Sequence, residues 1–359
     1  MKRPTCVVIL AAGEGSRMRS TVPKPLHPIC GRPMVVHVLE ATMAADVLAN
    51  IVVVGHEAER VESGITAAYA HDRPLYFVRQ SEQLGTGHAV SVTLTRLDEV
   101  MNGADGDVLI LPGDSPLLRT DTVQQLLEHH RNSGAAATIL TAVVDEPTGY
   151  GRMIYGKDQR PARIVEERDA SPEERAVKEI NTSIMVVRHS VLAPALRLIG
   201  RSNAQNEMYL TDLVGVLYDA GHATSSVVLA DPNEAAGVND RRQLATAERL
   251  LRERINQDWL LLGVTMVDPA TTYVDAEVVL AEDVRLLPGT ILTGRCIVDA
   301  GCVIGPNAHL SDVTVGPGAE IGTVAASSVS IGAGARIGSF SVLVRGSVIE
   351  TNAVIGSSS

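Results

Sequence analysis

Aromatic side chains are scarce in this chain: Phe, Trp and Tyr make up 3% of its 359 residues. A surface that stacks the bases of single-stranded nucleic acid needs more of them. The net charge of −11 argues against nucleic acid a second time, and against an anionic membrane surface. No apolar run reaches the ~18 residues of a membrane helix, and the first residues read as a strand rather than a signal sequence. The four cysteines, Cys6, Cys30, Cys296 and Cys302, form no C-x-x-C pair. That spacing argues against a zinc knuckle or a disulfide frame and predicts a reduced, cytoplasmic protein. Two familiar phosphate motifs are missing as well. The Walker pattern has no match, and Met18 stands where the dinucleotide fingerprint needs its third glycine.

What the chain does have is a short apolar run, residues 6–10, leading into Leu10-Ala11-Ala12-Gly13-Glu14-Gly15-Ser16-Arg17-Met18 and then Pro23-Lys24-Pro25. A buried strand feeding a glycine turn can bring backbone N–H groups against phosphate oxygens. Arg17 and Lys24 follow where a departing pyrophosphate would need positive charge. Taken alone, such a loop is as readily a simple turn. Residues 1–40 nevertheless carry Lys2, Arg3, Arg17, Arg19, Lys24 and Arg32 against Glu14 and Glu40, a local balance of +4 on an acidic protein. A small phosphorylated ligand suits that imbalance.

The length predicts two domains, because single cores stop growing near roughly 250–300 residues. Up to about residue 230, apolar runs at 6–10, 51–54, 108–111, 138–143, 184–187 and 226–229 alternate with amphipathic stretches at 34–44, 88–97, 122–130, 192–198 and 209–218. This alternation predicts a mostly parallel sheet with helices on both faces. Asp121 and Gln124 have capping-box spacing at the start of the third helix. We expect residues 1–239 to form this domain, residues 240–263 a helical connector, and residues 264–359 something different. There Val274, Leu280, Leu286, Leu292, Val298, Ile304 and Leu310 recur every six residues, and the beat returns at Val315, Ile321, Ile331, Ile337 and Leu343. That period matches neither a helix nor an alternating strand; it predicts a parallel β-helix of about five coils.

In open α/β sheets ligands bind beyond the carboxyl ends of strands. Asp114, just after the run 108–111, is therefore placed to hold Mg²⁺ against phosphate, although a Gly-Asp turn can equally be a loop or cap feature. The stretch Gln80-Ser81-Glu82-Gln83-Leu84-Gly85-Thr86-Gly87-His88 sets two amides before a turn that opens a helix. Amides can read a base edge, and a helix start favours anions. Thr148-Gly149-Tyr150-Gly151-Arg152, Glu166, Asn181-Thr182, Glu207 to Asp212, and Gly237-Val238-Asn239 follow in order. Each could singly be a turn, a cap or an exposed charge.

Together these motifs resemble the bacterial bifunctional N-acetylglucosamine-1-phosphate uridylyltransferases, the GlmU type, over residues 5–343. The family's L-A-A-G-x-G-T-R-M is matched by Leu10 to Met18 with Ser16 for Thr. Its Q-x-x-x-L-G-T-G-H-A is matched by Gln80 and Leu84 to Ala89, its G-D-x-P-L by Gly113 to Leu117, and its T-G-Y-G-R by Thr148 to Arg152. The resemblance implies a Rossmann-like α/β nucleotidyltransferase domain followed by a left-handed β-helix that commonly packs as a trimer. It implies that Leu10, Ala12, Gly13, Gln80, Gly85 and Thr86 bind the nucleotide, and that Arg17 and Lys24 serve its phosphates. Asp114 and Asn239 would hold Mg²⁺, and Gly151, Glu166, Asn181 and Thr211 would contact the sugar. The implied partners are a nucleoside triphosphate and a sugar 1-phosphate, with no nucleic acid and no membrane.

The chain also departs from the pattern. Family members carry an acetyltransferase site with an arginine in a Leu-Arg-Pro-Gly stretch and a later histidine; here Val344 follows Leu343, and the sequence reaches Ser359 without that histidine. We therefore expect no acetyl transfer. Ser183 stands where the family has Gly beside the sugar residues, and Pro112 is also atypical. Those changes suit a paralogue acting on another sugar 1-phosphate, with GTP or dTTP as further candidates, in a secondary-metabolite pathway such as antibiotic-sugar activation. An acyltransferase and a non-catalytic nucleotide-sugar sensor are the competing readings; the missing side chains disfavour the first, and Arg17, Lys24, Asp114 and Asn239 disfavour the second.

Overall fold

The computed structural model describes residues 3–356. Lys2 of the basic segment and the last three residues of the expected β-helix lie outside that range. The chain divides into two compact units. One takes residues up to His27 together with Pro33–Leu244, and the other takes Pro28–Arg32 together with the chain from Ala245 onward.

The first unit opens with β1 (Thr5–Leu10); the two-residue strands β2 (Pro28–Ile29) and β3 (Arg32–Pro33) follow it in the chain and pair with each other. Helix α1 (Met34–Ala41), β4 (Ala49–Val54), α2 (Ala58–Ala68), β5 (Leu75–Arg79), α3 (Thr86–Ser91), α4 (Leu94–Met101), β6 (Asp107–Pro112) and α5 (Thr120–Ser133) come next. The unit continues with β7 (Ala137–Val143), β8 (Arg152–Tyr155), β9 (Pro161–Val165), α6 (Pro172–Arg175), β10 (Glu179–Arg188), α7 (His189–Leu196), α8 (Asp212–Asp219) and β11 (Thr224–Val228). Strand order is β11-β7-β10-β6-β1-β4-β5, with β8 and β9 paired beside β10. Strand β10 runs antiparallel to β6 and β7, while β1, β4, β5 and β6 are parallel.

The continuous apolar runs arise because both sheet faces are covered. Val7, Ile9, Val52, Val54, Leu109 and Leu111 pack into one core with α1, α2 and α5. Cys6, Val8, Ile51, Val53, Val108 and Ile110 face the opposite way, into a core with α3, α4, α7 and α8. The stretch expected as one helix over 88–97 is broken at Val92–Thr93, where the Thr93 hydroxyl turns back onto the Val90 carbonyl at 2.7 Å. The capping box expected at Asp121 does not form: α5 begins at Thr120 with no side-chain cap, and Asp121 lies within its first turn. The capping box is found instead at Ser171 and Glu174 of α6.

In the second unit, helix α9 (Arg241–Leu261), which begins in the first, contributes Ile255, Trp259 and Leu260 to the core of a parallel β-helix of the hexapeptide type. Its strands are two or three residues long and stack into three flat sheets. The aliphatic beat points inward: Leu286, Leu292, Ile304, Leu310 and Val315 are fully buried. The pairing also explains where the beat falters. Tyr273 pairs with Ile291, Ile297 with Thr314, His309 with Ala325 and Ser330 with Val348, so the coil shortens and then lengthens again. Buried Ala326 fills the place in line after Ile321. The hairpin at Pro28–Arg32 joins this unit because the Cys30 N–H donates to Glu248 Oε2 at 2.8 Å and its carbonyl accepts from Ala276 at 2.9 Å.

Candidate active site

Strand β1 lies between β4 and β6, so the chain leaves it toward β4 on one side and later returns as β6 on the other. That reversal opens a crevice at the carboxyl ends of β1 and β6. Leu10 pairs with Pro112, which brings the loop after β1 beside the loop after β6. A cleft of about 490 Å³ opens there, lined among others by Leu10, Ala12, Gly13, Lys24, Gln80, Gly85, Thr86, Asp114, Gly151, Glu166, Asn181 and Asn239.

At one end the four polar residues of the sequence reading meet. Lys24 Nζ lies 2.5 Å from Asp114 Oδ2 and 2.8 Å from Asn239 Oδ1. Arg17 does not itself line the cleft; its Nη2 donates to the same Asn239 oxygen at 3.0 Å. The backbone explains this convergence. Gly15 has φ 67°, and a Cβ there would overlap the Lys24 Cβ, so the glycine lets Lys24 close over the loop. Gly13 has no positive φ and open space where a Cβ would be, so it leaves room rather than making the turn. On the other side the Val238 N–H donates to the Asp114 carbonyl at 2.8 Å, which carries Asn239 to the carboxylate.

A second wall is built from the Gly85-Thr86-Gly87 turn. Gly85, at φ 109°, leaves no room for a Cβ against the Met208 backbone, and the Gly87 N–H donates to the Met208 carbonyl at 2.7 Å. The Thr86 hydroxyl accepts from the Leu210 N–H at 3.0 Å. Since α3 has only six residues, the turn rather than a long helix dipole shapes this wall. Gln80 is 5% exposed, and Gln83 donates to the Ala12 carbonyl at 3.0 Å, tying this wall to the first loop.

The third wall carries Gly151, Glu166, Asn181 and Ser183. Gly151 packs against Ile164 too closely for a Cβ, which would also sit in ordinary contact with the Glu166 carboxyl. Burial, the largest influence, pushes the Glu166 carboxyl up, the Thr211 hydroxyl holds it down by donating at 2.9 Å, and Asp212 and Asp169 push it up again. Thr211 thus stands behind Glu166 rather than in the cleft. A bulge in β10 between Asn181 and Ile184 turns Ser183 into the cleft at φ 62°. Sequence reasoning missed the part played by Arg152. Fully buried, it donates to the Tyr150 carbonyl and, at 2.6 Å, to Glu167, so it fastens this wall instead of meeting a ligand.

A glycine loop, paired cations and a carboxylate at the switch of a Rossmann-like sheet define a nucleotidyltransferase. Residues 7–196 match the MobA-like NTP transferase domain. The chain is 42% identical to the bifunctional protein GlmU of Trichlorobacter lovleyi, over 98% of this chain and 75% of that one. Against bifunctional GlmU of Streptomyces avermitilis it is 43% identical, over 99% and 72%; against that of Caldanaerobacter subterraneus it is 44% identical, over 96% and 72%. A crystal structure from Bacillus anthracis, of a protein assigned as a glucose-1-phosphate thymidylyltransferase and solved with sucrose, superimposes with a TM-score of 0.55 at 20% identity, over 68% of this chain and 94% of that one; it supports the fold. The chain belongs to the GlmU family and is a GlmU-like sugar-1-phosphate nucleotidyltransferase.

Proposed function

We propose that the cleft couples UTP to N-acetylglucosamine 1-phosphate, releasing pyrophosphate and UDP-N-acetylglucosamine. The observation that carries this reading is the meeting of Arg17, Lys24, Asp114 and Asn239 at one end of the cleft, with Gln80 on a second wall and Glu166 and Asn181 on a third. A sugar 1-phosphate has a second pKa near ~6 and is largely dianionic at neutral pH, so its oxygen can attack the α-phosphorus without a general base. Catalysis is then positioning and electrostatics. Gly13 leaves space for the triphosphate to approach the backbone, Lys24 and Arg17 offset the charge gathering on the departing pyrophosphate, and Asn181 and Glu166 orient the sugar.

Mg²⁺ is the cofactor of this proposal. Asp114 and Asn239 present a carboxylate and an amide oxygen to one positive charge, the Lys24 ammonium, and oxygen ligands of this kind suit Mg²⁺. Among the described residues no cluster of three His, Cys, Asp or Glu could hold a metal by itself, so substrate phosphates and water would complete the shell. When bound, the ion would neutralise phosphate charge and align the triphosphate.

Ser183 favours a second reading within the same chemistry. It lines the cleft beside Asn181, so another sugar 1-phosphate, and GTP or dTTP in place of UTP, belong in the test. For the assembly we propose a homotrimer through the β-helix, supported by its flat faces and by outward Val279 and Ile297. A cytoplasmic setting is supported by four buried free cysteines and by the lack, among the described residues, of any helix long and apolar enough to cross a membrane. The experiment is pyrophosphate release from five nucleoside triphosphates against a panel of sugar 1-phosphates. Release with UTP and N-acetylglucosamine 1-phosphate is expected; release confined to another pair would select the second reading, and none with any pair would refute both.

A further inference from the structure

The Gln80 amide is held by two acceptors. Its Nε2 donates to the Gly85 carbonyl oxygen at 3.1 Å and to His88 Nδ1 at 3.1 Å. A backbone carbonyl can only accept, so the first bond decides which end of the amide carries nitrogen. The second then follows: His88 Nδ1 accepts, and the ring proton belongs on Nε2. With both amide hydrogens engaged inside the wall, the oxygen is what this side chain has left to offer a ligand.

The geometry points to His88 as a positioning residue for base recognition, holding the Gln80 amide so that the cleft selects a base whose ring edge carries an N–H donor. Uracil and thymine at N3 and guanine at N1 meet that condition. Cytosine N3 and adenine N1 do not, because they would set one acceptor against another at an amide that is only 5% exposed. Without the histidine, only the Gly85 carbonyl restrains the amide, which can then turn and offer donors to the wrong bases. This inference rests on the cleft being a nucleotide site.

Equilibrium binding of UTP and CTP to the full chain, measured by titration calorimetry without sugar, tests it. Wild type is expected to bind UTP about tenfold or more tightly than CTP, as one well-made hydrogen bond against one unmet acceptor implies. His88→Leu should reduce that ratio by roughly fivefold or more, and His88→Asn, whose Oδ1 can accept in place of Nδ1, should restore most of it. A ratio unchanged in His88→Leu, an equal loss in both variants, or a wild type indifferent between UTP and CTP would overturn the role given to His88 while leaving a nucleotide site in place. A wild type that binds no nucleoside triphosphate would overturn the proposed function itself.

Discussion

The Lys24 ammonium lies 2.5 Å from the Asp114 carboxylate although 90 residues separate them in the chain. The contact exists because β1 and β6 are neighbours and each ends in a turn at the same edge of the sheet. Lys24→Met should lower kcat/KM for pyrophosphate release by about 10²–10³-fold, the usual cost of losing one preorganised group that stabilises transition-state charge. Steady-state kinetics checks this, and an unaltered value would remove Lys24 from the chemistry.

Asp114→Asn keeps the shape of that corner and removes its negative charge. We expect the Mg²⁺ concentration for half-maximal activity to rise at least about tenfold, with lower turnover at saturation. A metal titration with pyrophosphate release as the signal reads both effects.

At the amino ends of the same strands lies a second buried cluster. Burial raises the Asp107 carboxyl, but the His130 ring, whose Nε2 lies 3.4 Å away, together with the Arg3 and Arg131 guanidinia at 3.2 and 3.3 Å, outweighs it, and the net shift is downward. The folded pKa is therefore below the unfolded one, so this stability is present above about pH 4 and is lost as pH falls through the folded value. Asp107→Asn should cost about 3 kcal/mol at pH 7, because it leaves the partly buried Arg3 and Arg131 guanidinia without their carboxylate. Urea unfolding should show the gap between wild type and variant closing as the solution is acidified below about pH 4.

Much of this architecture could be read from residue order alone. The runs beginning at Cys6, Ile51 and Val108 identify themselves as strands because both sheet faces are covered, and the six-residue beat from Val274 has no other regular solution. Arg17, Lys24, Asp114 and Asn239 could be selected one by one from their motifs, yet nothing in their spacing revealed that one asparagine oxygen receives both cations. The Arg152 fastening was hidden for a different reason: its partner Glu167 is brought beside it only when β8 and β9 pair. Glycine at position 15 was readable as a turn, whereas Gly13 needed coordinates to distinguish space from curvature. The departure at Ser183 was visible, but its left-handed backbone was not.

That backbone makes Ser183→Gly informative. A non-glycine residue in this region is strained by roughly 1–2 kcal/mol, and glycine adds back about 0.5–1 kcal/mol of unfolded-state entropy, so the variant should be neutral to slightly more stable. If the serine restricts the sugar, the variant should also change KM ratios among sugar 1-phosphates while KM for the nucleotide stays put.

Thr211 offers a pH test of the same wall. Removing its hydroxyl in Thr211→Val takes away the bond that holds the Glu166 carboxyl down, so Glu166 should protonate at higher pH. KM for the sugar 1-phosphate, measured as a function of pH, should begin to rise at higher pH in the variant than in wild type as the solution is acidified.

The most direct test is a crystal structure of the protein with Mg²⁺, a non-hydrolysable nucleoside triphosphate and a sugar 1-phosphate. Our account predicts the triphosphate lying between the loop at Gly13 and the Asp114 carboxylate, with Lys24 drawn onto its phosphates and the sugar against Glu166 and Asn181. A triphosphate bound with Lys24 and Asp114 still joined to each other and remote from it would contradict that account.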